Sequence, residues 1–159
     1  MKRTAVLFVC MGNICRSPLA EGIFSHILAA RQMQDRFFVD SAGTGGWHAG
    51  DAPDPRSIDT ARRHGIDIST QIARQFRQED FEIFDLILAM DEKNLAHLRT
   101  LASDPQMQKL HLFSDYADGR RENVPDPYYG TGDGFETVYN MLLAGCMSML
   151  EKIETGRAS

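Results

Sequence analysis

The sequence has 159 residues and a formal net charge of −5, with 43% hydrophobic and 25% charged residues. This length fits one domain spanning residues 1–159, and the composition is typical of a soluble globular protein rather than a disordered chain. The negative charge gives no electrostatic reason to expect nucleic acid as a partner. No apolar run approaches the roughly 20 residues that span a bilayer, so no membrane association is expected.

The cysteines and the apolar start of the chain predict a cytoplasmic location. Three cysteines are an odd number in a chain of this length, which argues against a disulfide scaffold and for a reducing compartment. The apolar run at residues 4–9 is shorter than the roughly 7–15 residues of a secretory signal. This run is interpreted as the first strand.

Apolar segments rich in β-forming residues alternate with amphipathic segments along the chain. The predicted strands are residues 4–9, 37–42, 84–90 and 109–114. Four helices are predicted. The first begins at Pro18 with Ser17 as its N-cap, and the second covers residues 56–64 and ends before Gly65. The third follows Asp91 as its N-cap, and the last includes residues 135–153. Residues 115–134 are predicted to be irregular.

This alternation predicts an α/β fold with a small, doubly wound, four-stranded parallel sheet and helices on both faces. A flavodoxin-like sheet of this kind has the strand order 2-1-3-4. Ligands bind beyond the carboxyl ends of the strands, where the order reverses. Cys10 is expected there, at the end of the first strand.

The segment CMGNICRS, which follows the first strand, has the features of an anion-binding loop. Its backbone N–H groups can converge on one anion at a helix N-terminus, and Gly12 and Asn13 tolerate left-handed backbone conformations. Arg16 can bind two phosphate oxygens, and the positive surroundings favour a reactive thiolate on Cys10. Ser17 is placed to donate a hydrogen bond to that thiolate.

A single cysteine is more often a buried structural residue, and an Asn-Gly pair is often only a turn. The combination of Gly, Asn, Arg and Ser at set positions after Cys10 favours the functional interpretation. Asp126 is less distinctive, because Asp-Pro is also a common turn former.

The sequence resembles the low-molecular-weight protein tyrosine phosphatases. The loop matches their pattern C-x-G-N-I-C-R-S-P. The likeness continues, in the family's order, through DSAGT (40–44), WH (47–48), RHGI (63–66), ARQF (73–76), EDF (79–81), FDLILAMD (84–91) and VPDPYYG (124–130). These segments cover nearly the whole chain.

The resemblance implies a phosphotyrosine phosphatase that needs no cofactor and no metal. Cys10 would attack phosphorus and form a phosphocysteine, Arg16 would bind the phosphate, and Asp126 would act as general acid and then as general base. Its partners would be phosphotyrosine-containing proteins or peptides, with inorganic phosphate as product. A monomer or a weak dimer is expected.

The resemblance also implies roles for residues around the catalytic group. The phosphate-binding loop would comprise Met11, Gly12, Asn13, Ile14, Cys15 and Ser17. The substrate pocket would include Ile14, Trp47, Tyr128 and Tyr129, and Tyr129 could alternatively be a regulatory phosphorylation site. Ser41 and His64 would join Asn13 in a supporting network, although His64 alone is more simply a helix-end histidine. Cys15 is a candidate redox partner of Cys10, and Cys146 is interpreted as a core residue.

Three alternatives stay open at this stage. A thiol-dependent arsenate reductase would need a third mobile thiol, and no cysteine occurs between Cys15 and Cys146. A phosphoarginine phosphatase is a second alternative, since that branch carries Thr where this chain has Ile14. A non-catalytic phosphate-binding module is the third, but it would need neither the thiol nor the acid.

Overall fold

Four parallel strands form the central sheet of the computed structural model, which describes residues 3–130 and 133–158. They are β1 (Thr4–Cys10), β2 (Phe37–Gly43), β3 (Leu86–Ala89) and β4 (Leu110–Leu112). The strands lie in the order β2-β1-β3-β4, and β1 pairs in parallel with both β2 and β3. The predicted strand order and the doubly wound α/β fold are therefore confirmed.

Helices cover both faces of this sheet. They are α1 (Arg16–Ala30), α2 (Pro55–Arg63), α3 (Asp80–Ile83), α4 (Glu92–Leu101), α5 (Phe113–Asp118) and α6 (Asp133–Ala158). Side chains of a strand alternate between its faces. Accordingly, Val6 and Phe8 of β1 share one core with α1, α2, α5 and α6, whereas Leu7 and Val9 share another with α3 and α4. No helix within 3–130 or 133–158 is long and apolar enough to cross a membrane.

The third strand is shorter than the sequence predicts. Phe84 follows the short helix α3 as its C-cap residue instead of belonging to the strand. Asp85 then uses its carboxylate to accept the backbone N–H of Ala5 at 2.8 Å. Regular pairing with β1 therefore begins only at Leu86.

The segment after the fourth strand is more regular than predicted. β4 ends at Leu112, and Phe113 already begins α5, which ends before Gly119 in the left-handed conformation. Residues Pro127–Tyr129 form a short 3₁₀ helix. The prediction of an irregular segment at 115–134 is therefore wrong in these two places, and also at 133–134, where α6 begins.

Side-chain caps start two of the helices that frame the site. Asp91 accepts the N–H of Asn94 at 2.8 Å, as predicted, and α4 follows it. Asp54 accepts the N–H of Arg56 at 2.8 Å at the start of α2. The stop of α2 before Gly65, which has a φ of 80°, also agrees with the prediction.

Candidate active site

Cys10 is the last residue of β1, at the point where the strand order of the sheet reverses. The crevice beyond the carboxyl ends of such central strands is the usual ligand site of doubly wound sheets. Residues 10–17 form the Cys10 loop, which leads from the buried strand into the first turn of α1. The fold therefore places this loop where a ligand is expected.

Neighbouring segments bind the carbonyl oxygens of the Cys10 loop and turn them away from its centre. The N–H of Thr44 donates to the carbonyl of Cys10 and the N–H of Gly45 donates to the carbonyl of Met11, both at 2.9 Å. The N–H of Asp54 donates to the carbonyl of Ile14 at 2.8 Å. In the part of the chain that the structure describes, the N–H groups of residues 11–15 have no protein acceptor. They are available to an anion at the N-terminus of α1, where the helix dipole favours negative charge.

Asn13 holds the loop in its curled shape. Its φ of 58° lies in the left-handed region, as the sequence predicts. The side-chain Nδ2 donates to Ser17 Oγ at 2.8 Å and to Ser41 Oγ at 3.0 Å, and Oδ1 accepts the N–H of Arg74 at 3.0 Å. Every hydrogen-bonding group of the amide is thus used, so this otherwise unfavourable conformation is fixed.

Gly12 serves the loop in a different way from the predicted one. Its φ is not positive, so backbone freedom is not its contribution. A Cβ atom at this position would lie only 3.0 Å from His48 Cδ2. Gly12 therefore gives the His48 ring room beside the loop.

Ser17 lies next to the sulfur of Cys10, with 3.0 Å between Ser17 Oγ and Cys10 Sγ. Because the hydroxyl oxygen accepts from Asn13, its own proton is free to be donated, and the carbonyl of Ala42 at 3.4 Å is the more distant acceptor. The predicted N-cap role of Ser17 is wrong. α1 begins at Arg16, two residues before the predicted first helical residue Pro18, and Cys15 occupies the cap position without a side-chain hydrogen bond.

The hydrogen-bond network reaches Glu21, a residue that the sequence analysis missed. Ser41 Oγ donates to Glu21 Oε1 at 2.7 Å. Burial raises the pKa of Glu21 to about 7, against the opposing effect of the Ser41 hydrogen bond. Glu21 lies one helical turn after Ser17 on α1, so i, i+4 spacing could have indicated that both face β2.

His64 does not join this network, which corrects the role that the resemblance implied. Its Nε2 lies 2.6 Å from Glu136 Oε1, and its ring stacks on Tyr139 with the centroids 3.7 Å apart. These contacts tie the end of α2 to α6. They match the simpler interpretation of a helix-end histidine.

Arg16 is buried beneath the pocket, with only 2% of its side chain exposed. Its Nη1 donates to Asp91 Oδ2 at 2.6 Å and to the carbonyl of Val124 at 3.0 Å. Its Nε has no hydrogen-bond partner among the described residues. A buried charged donor without a partner is costly, and a bound anion would satisfy it.

Asp126 faces the same guanidinium from the segment after α5, as the residue that caps the short 3₁₀ helix. Its Oδ2 lies 3.7 Å from Arg16 Nη2, and its Oδ1 accepts the N–H of Tyr128 at 3.0 Å. The carboxylate is partly exposed, in contrast to the buried Arg16. An acid or base at this position can reach both water and a group bound above Arg16.

The pocket contains most of the residues predicted from the sequence. Its walls are formed by Cys10, Met11, Gly12, Ile14, Cys15, Arg16, Asp126 and Tyr128. One wall is therefore the Cys10 loop, and the other is the segment from Val124 to Tyr128, called the Asp126 turn. The side chain of Tyr129 lies outside the described residues.

Trp47 is not part of the pocket wall, contrary to the prediction. Its ring is 75% exposed and lies against Gly45, where a Cβ atom would overlap it. The neighbouring His48 comes closer to the pocket, beside Gly12 and with its ring centroid 6.5 Å from that of Tyr128. This segment therefore lies beside the pocket, but neither Trp47 nor His48 is part of its wall.

Cys15 lies in the same wall as Cys10, but its thiol is kept protonated. Burial, followed by the negative charges of Asp54, Cys10 and Asp126, raises the pKa of Cys15 to about 12. Only a thiolate attacks oxidised sulfur efficiently. The predicted redox pairing therefore requires a rare ionised form of Cys15.

Mild peroxide is expected to inactivate the protein reversibly through a Cys10–Cys15 disulfide. Peroxide oxidises Cys10 to a sulfenic acid, and the Cys15 thiolate then displaces hydroxide from that sulfur to form the disulfide. Below its raised pKa the thiolate fraction of Cys15 grows with pH, so disulfide formation should accelerate about tenfold per unit between pH 6 and 8. Mass spectrometry of samples quenched at timed intervals measures the rate of disulfide formation. Cys15→Ser, which cannot form this disulfide, is the control. Sulfinic Cys10 beside a free Cys15 thiol would contradict the pairing.

Comparisons with known proteins agree with this geometry. YfkJ of Bacillus subtilis, a low molecular weight protein-tyrosine-phosphatase, is 42% identical over 151 residues, which cover 94% of this chain and 96% of YfkJ. A protein tyrosine phosphatase from Entamoeba histolytica superposes with a TM-score of 0.91 at 34% identity, covering 97% of this chain and 99% of its own. DARP, a Drosophila arginine phosphatase, superposes with a TM-score of 0.85 at 37% identity, covering 96% of this chain and 98% of its own.

The fold and the site together define a hydrolase that acts on phosphate monoesters. The low molecular weight phosphotyrosine protein phosphatase family has a model that matches residues 5–158. The chain belongs to this family.

Proposed function

We propose that the protein hydrolyses phosphotyrosine through a phosphocysteine intermediate on Cys10. Arg16 carries the proposal, because its buried guanidinium keeps an N–H without a partner among the described residues, in the pocket that Cys10 also lines. A phosphate group would accept that N–H together with the free N–H groups of the Cys10 loop. Held in this way, its phosphorus would face Cys10 Sγ.

In the proposed first step, the Cys10 thiolate attacks phosphorus opposite the tyrosine oxygen. The S–P bond forms while the P–O bond to the phenol breaks, and Asp126 gives its proton to the departing oxygen. Arg16 and the loop N–H groups neutralise the charge on the other phosphate oxygens. A phenol, with a pKa near 10, leaves more easily than an alcohol with a pKa of roughly 15.

In the proposed second step, the same carboxylate acts as a base. Asp126 removes a proton from water, the water oxygen attacks phosphorus, and the S–P bond breaks with its electron pair returning to sulfur. Inorganic phosphate is released. The hydroxyl of Ser17, 3.0 Å from Cys10 Sγ, stabilises the thiolate as it leaves, and Asn13 keeps that hydroxyl in place.

Phosphotyrosine-containing proteins or peptides are the proposed substrates. Ile14 and Tyr128 both line the pocket and offer apolar surface to a phenyl ring. Free thiols at Cys10, Cys15 and Cys146 support the proposal of a reducing, cytoplasmic location.

Hydrolysis of phosphoarginine is the second candidate, because one structural neighbour is an arginine phosphatase. A guanidinium leaving group would need a polar partner beside the scissile P–N bond. Ile14, which is 9% exposed and packs with Ala73 and Phe135, provides no hydrogen-bonding side chain there. Tyrosine is therefore the preferred assignment.

Ile14→Thr is expected to shift preference from phosphotyrosine towards phosphoarginine. A threonine hydroxyl could pair with the guanidinium, and a polar group left unpaired in a pocket costs about 1–3 kcal/mol. The ratio of kcat/KM for the two substrates, in wild type and mutant, measures the shift. Ile14→Val is the control, since it removes a methylene without adding a polar group. A wild type that already prefers phosphoarginine would contradict the tyrosine assignment.

An activity panel tests the proposed function as a whole. The protein is expected to hydrolyse phosphotyrosine in preference to phosphoserine and phosphoarginine, with equal rates in the presence and absence of a chelator. It should not reduce arsenate, since Cys146 is fully buried in α6 and cannot serve as a mobile third thiol. Phosphate binding without any turnover would favour the non-catalytic module instead.

A further inference from the structure

Arg56, at the start of α2, makes contact with the turn that carries Asp126. Its Nη2–H donates to the carbonyl oxygen of Tyr128 at 3.1 Å. The guanidinium also lies over two rings, 5.4 Å from the centroid of Tyr128 and 4.6 Å from that of Phe135. Arg56 is not among the residues that line the pocket. Its described contacts are therefore with the turn.

Asp54 fixes Arg56 from the other side. Arg56 Nε donates to Asp54 Oδ1 at 3.0 Å and Nη2 donates to Oδ2 at 2.9 Å, which is a two-point pair. Asp54 is buried, and its own N–H donates to the carbonyl of Ile14 in the Cys10 loop at 2.8 Å. A continuous chain of contacts thus runs from Ile14 through Asp54 and Arg56 to Tyr128.

The same turn is anchored on the opposite side of Asp126. Val124 is fully buried, its N–H donates to Met90 at 2.9 Å, and its carbonyl accepts from Arg16 at 3.0 Å. Asp126 therefore lies between an anchor at Val124 and an anchor at Tyr128. Removal of Arg56 would take from the second anchor the hydrogen bond to the carbonyl of Tyr128 and the cation–ring contact.

We infer that Arg56 is a positioning residue for proton transfer, which together with Asp54 holds the Asp126 turn at a set distance from Cys10. The inference rests on the proposed role of Asp126 as proton donor. Two-point pairs between arginine and carboxylate fix geometry as well as adding energy. A displacement of about 1 Å at a reacting group can cost about 100-fold in rate, so a contact remote from the substrate can matter.

Arg56→Met tests this role, because methionine keeps much of the side-chain length but removes every donor. The expected result is a loss of about tenfold in the rate of phosphoenzyme formation from phosphotyrosine, measured by rapid quench before the later hydrolysis step, and part of the 10²–10⁴-fold that general acid catalysis supplies. The loss on p-nitrophenyl phosphate should be much smaller, since its leaving group needs little protonation. KM and inhibition by inorganic phosphate should stay unchanged. Arg62→Met, an exposed arginine on the same helix, is the matched control and should behave as wild type.

Arg56→Lys keeps the charge without the planar fork, so it should recover only part of the lost rate and serves if Arg56→Met folds poorly. In the double mutant with Asp126→Asn, loss of Arg56 should add little, because the proton transfer is already gone. Equal losses of phosphoenzyme formation on both esters, or full additivity with Asp126→Asn, would overturn the inference. If Asp126→Asn alone fails to discriminate between the esters, the proposed proton donor is wrong and the inference falls with it.

Discussion

Cys10→Ser is expected to remove turnover of phosphotyrosine, by at least about 10⁴-fold in kcat, as for other catalytic nucleophiles. A serine hydroxyl has too high a pKa to ionise in the loop without a base. The hydrogen-bond partner of the Cys10 sulfur is the hydroxyl of Ser17, which cannot act as that base. Rapid-quench experiments should detect the phosphocysteine intermediate in the wild type and should detect no phosphoenzyme in the mutant.

Phosphate binding should survive the same substitution. The free N–H groups of the Cys10 loop and the buried Arg16 remain in place, so inorganic phosphate should still raise the melting temperature of the mutant. A chelator should leave the wild type unaffected. Substantial turnover by Cys10→Ser, or loss of wild-type activity with a chelator, would contradict the thiolate mechanism.

The strand order was accessible from the sequence because it follows from local patterns and general rules. Four apolar segments alternating with amphipathic ones leave few topologies once right-handed crossovers are required. The strand ends were less accessible, because tertiary contacts decide them. Asp85, for example, leaves the predicted third strand to accept a hydrogen bond from Ala5, a residue distant in sequence.

The Cys10 loop was predictable because its chemistry lies within one contiguous segment. The partners of Arg16 were harder to find, since Asp91 and Val124 come from other parts of the chain. One signal was available for Asp91. Asp91 follows the third strand, and this strand neighbours the first strand in the predicted order. Because the carboxyl ends of parallel strands meet at one edge of the sheet, Asp91 could be expected near the Cys10 loop.

Two of the corrected assignments, Trp47 and His64, have a common physical cause. A sequence motif locates a segment near the site, but side-chain direction depends on the backbone of that segment and on competing partners. Trp47 folds over Gly45 while His48 faces Gly12, and His64 finds a carboxylate on α6. Neither preference can be read from the spacing of residues.

Asp126→Asn is the second substitution with a large expected effect, and it distinguishes chemistry from structure. The amide can keep the hydrogen bond that Oδ1 accepts from the N–H of Tyr128, so the turn should hold its shape. It cannot donate a proton to the leaving oxygen. Hydrolysis of phosphotyrosine should fall by about 10²–10⁴-fold, the usual contribution of general acid catalysis.

The discriminating measurement compares the effect of Asp126→Asn on phosphoenzyme formation from two different esters. p-Nitrophenyl phosphate has a leaving group that needs little protonation, so its rate of phosphoenzyme formation should fall far less than that of phosphotyrosine. Rapid-quench kinetics isolates this step from the later hydrolysis, in which Asp126 is proposed to act as base. Equal losses of phosphoenzyme formation on both esters would mean that Asp126 only shapes the turn beside Arg16.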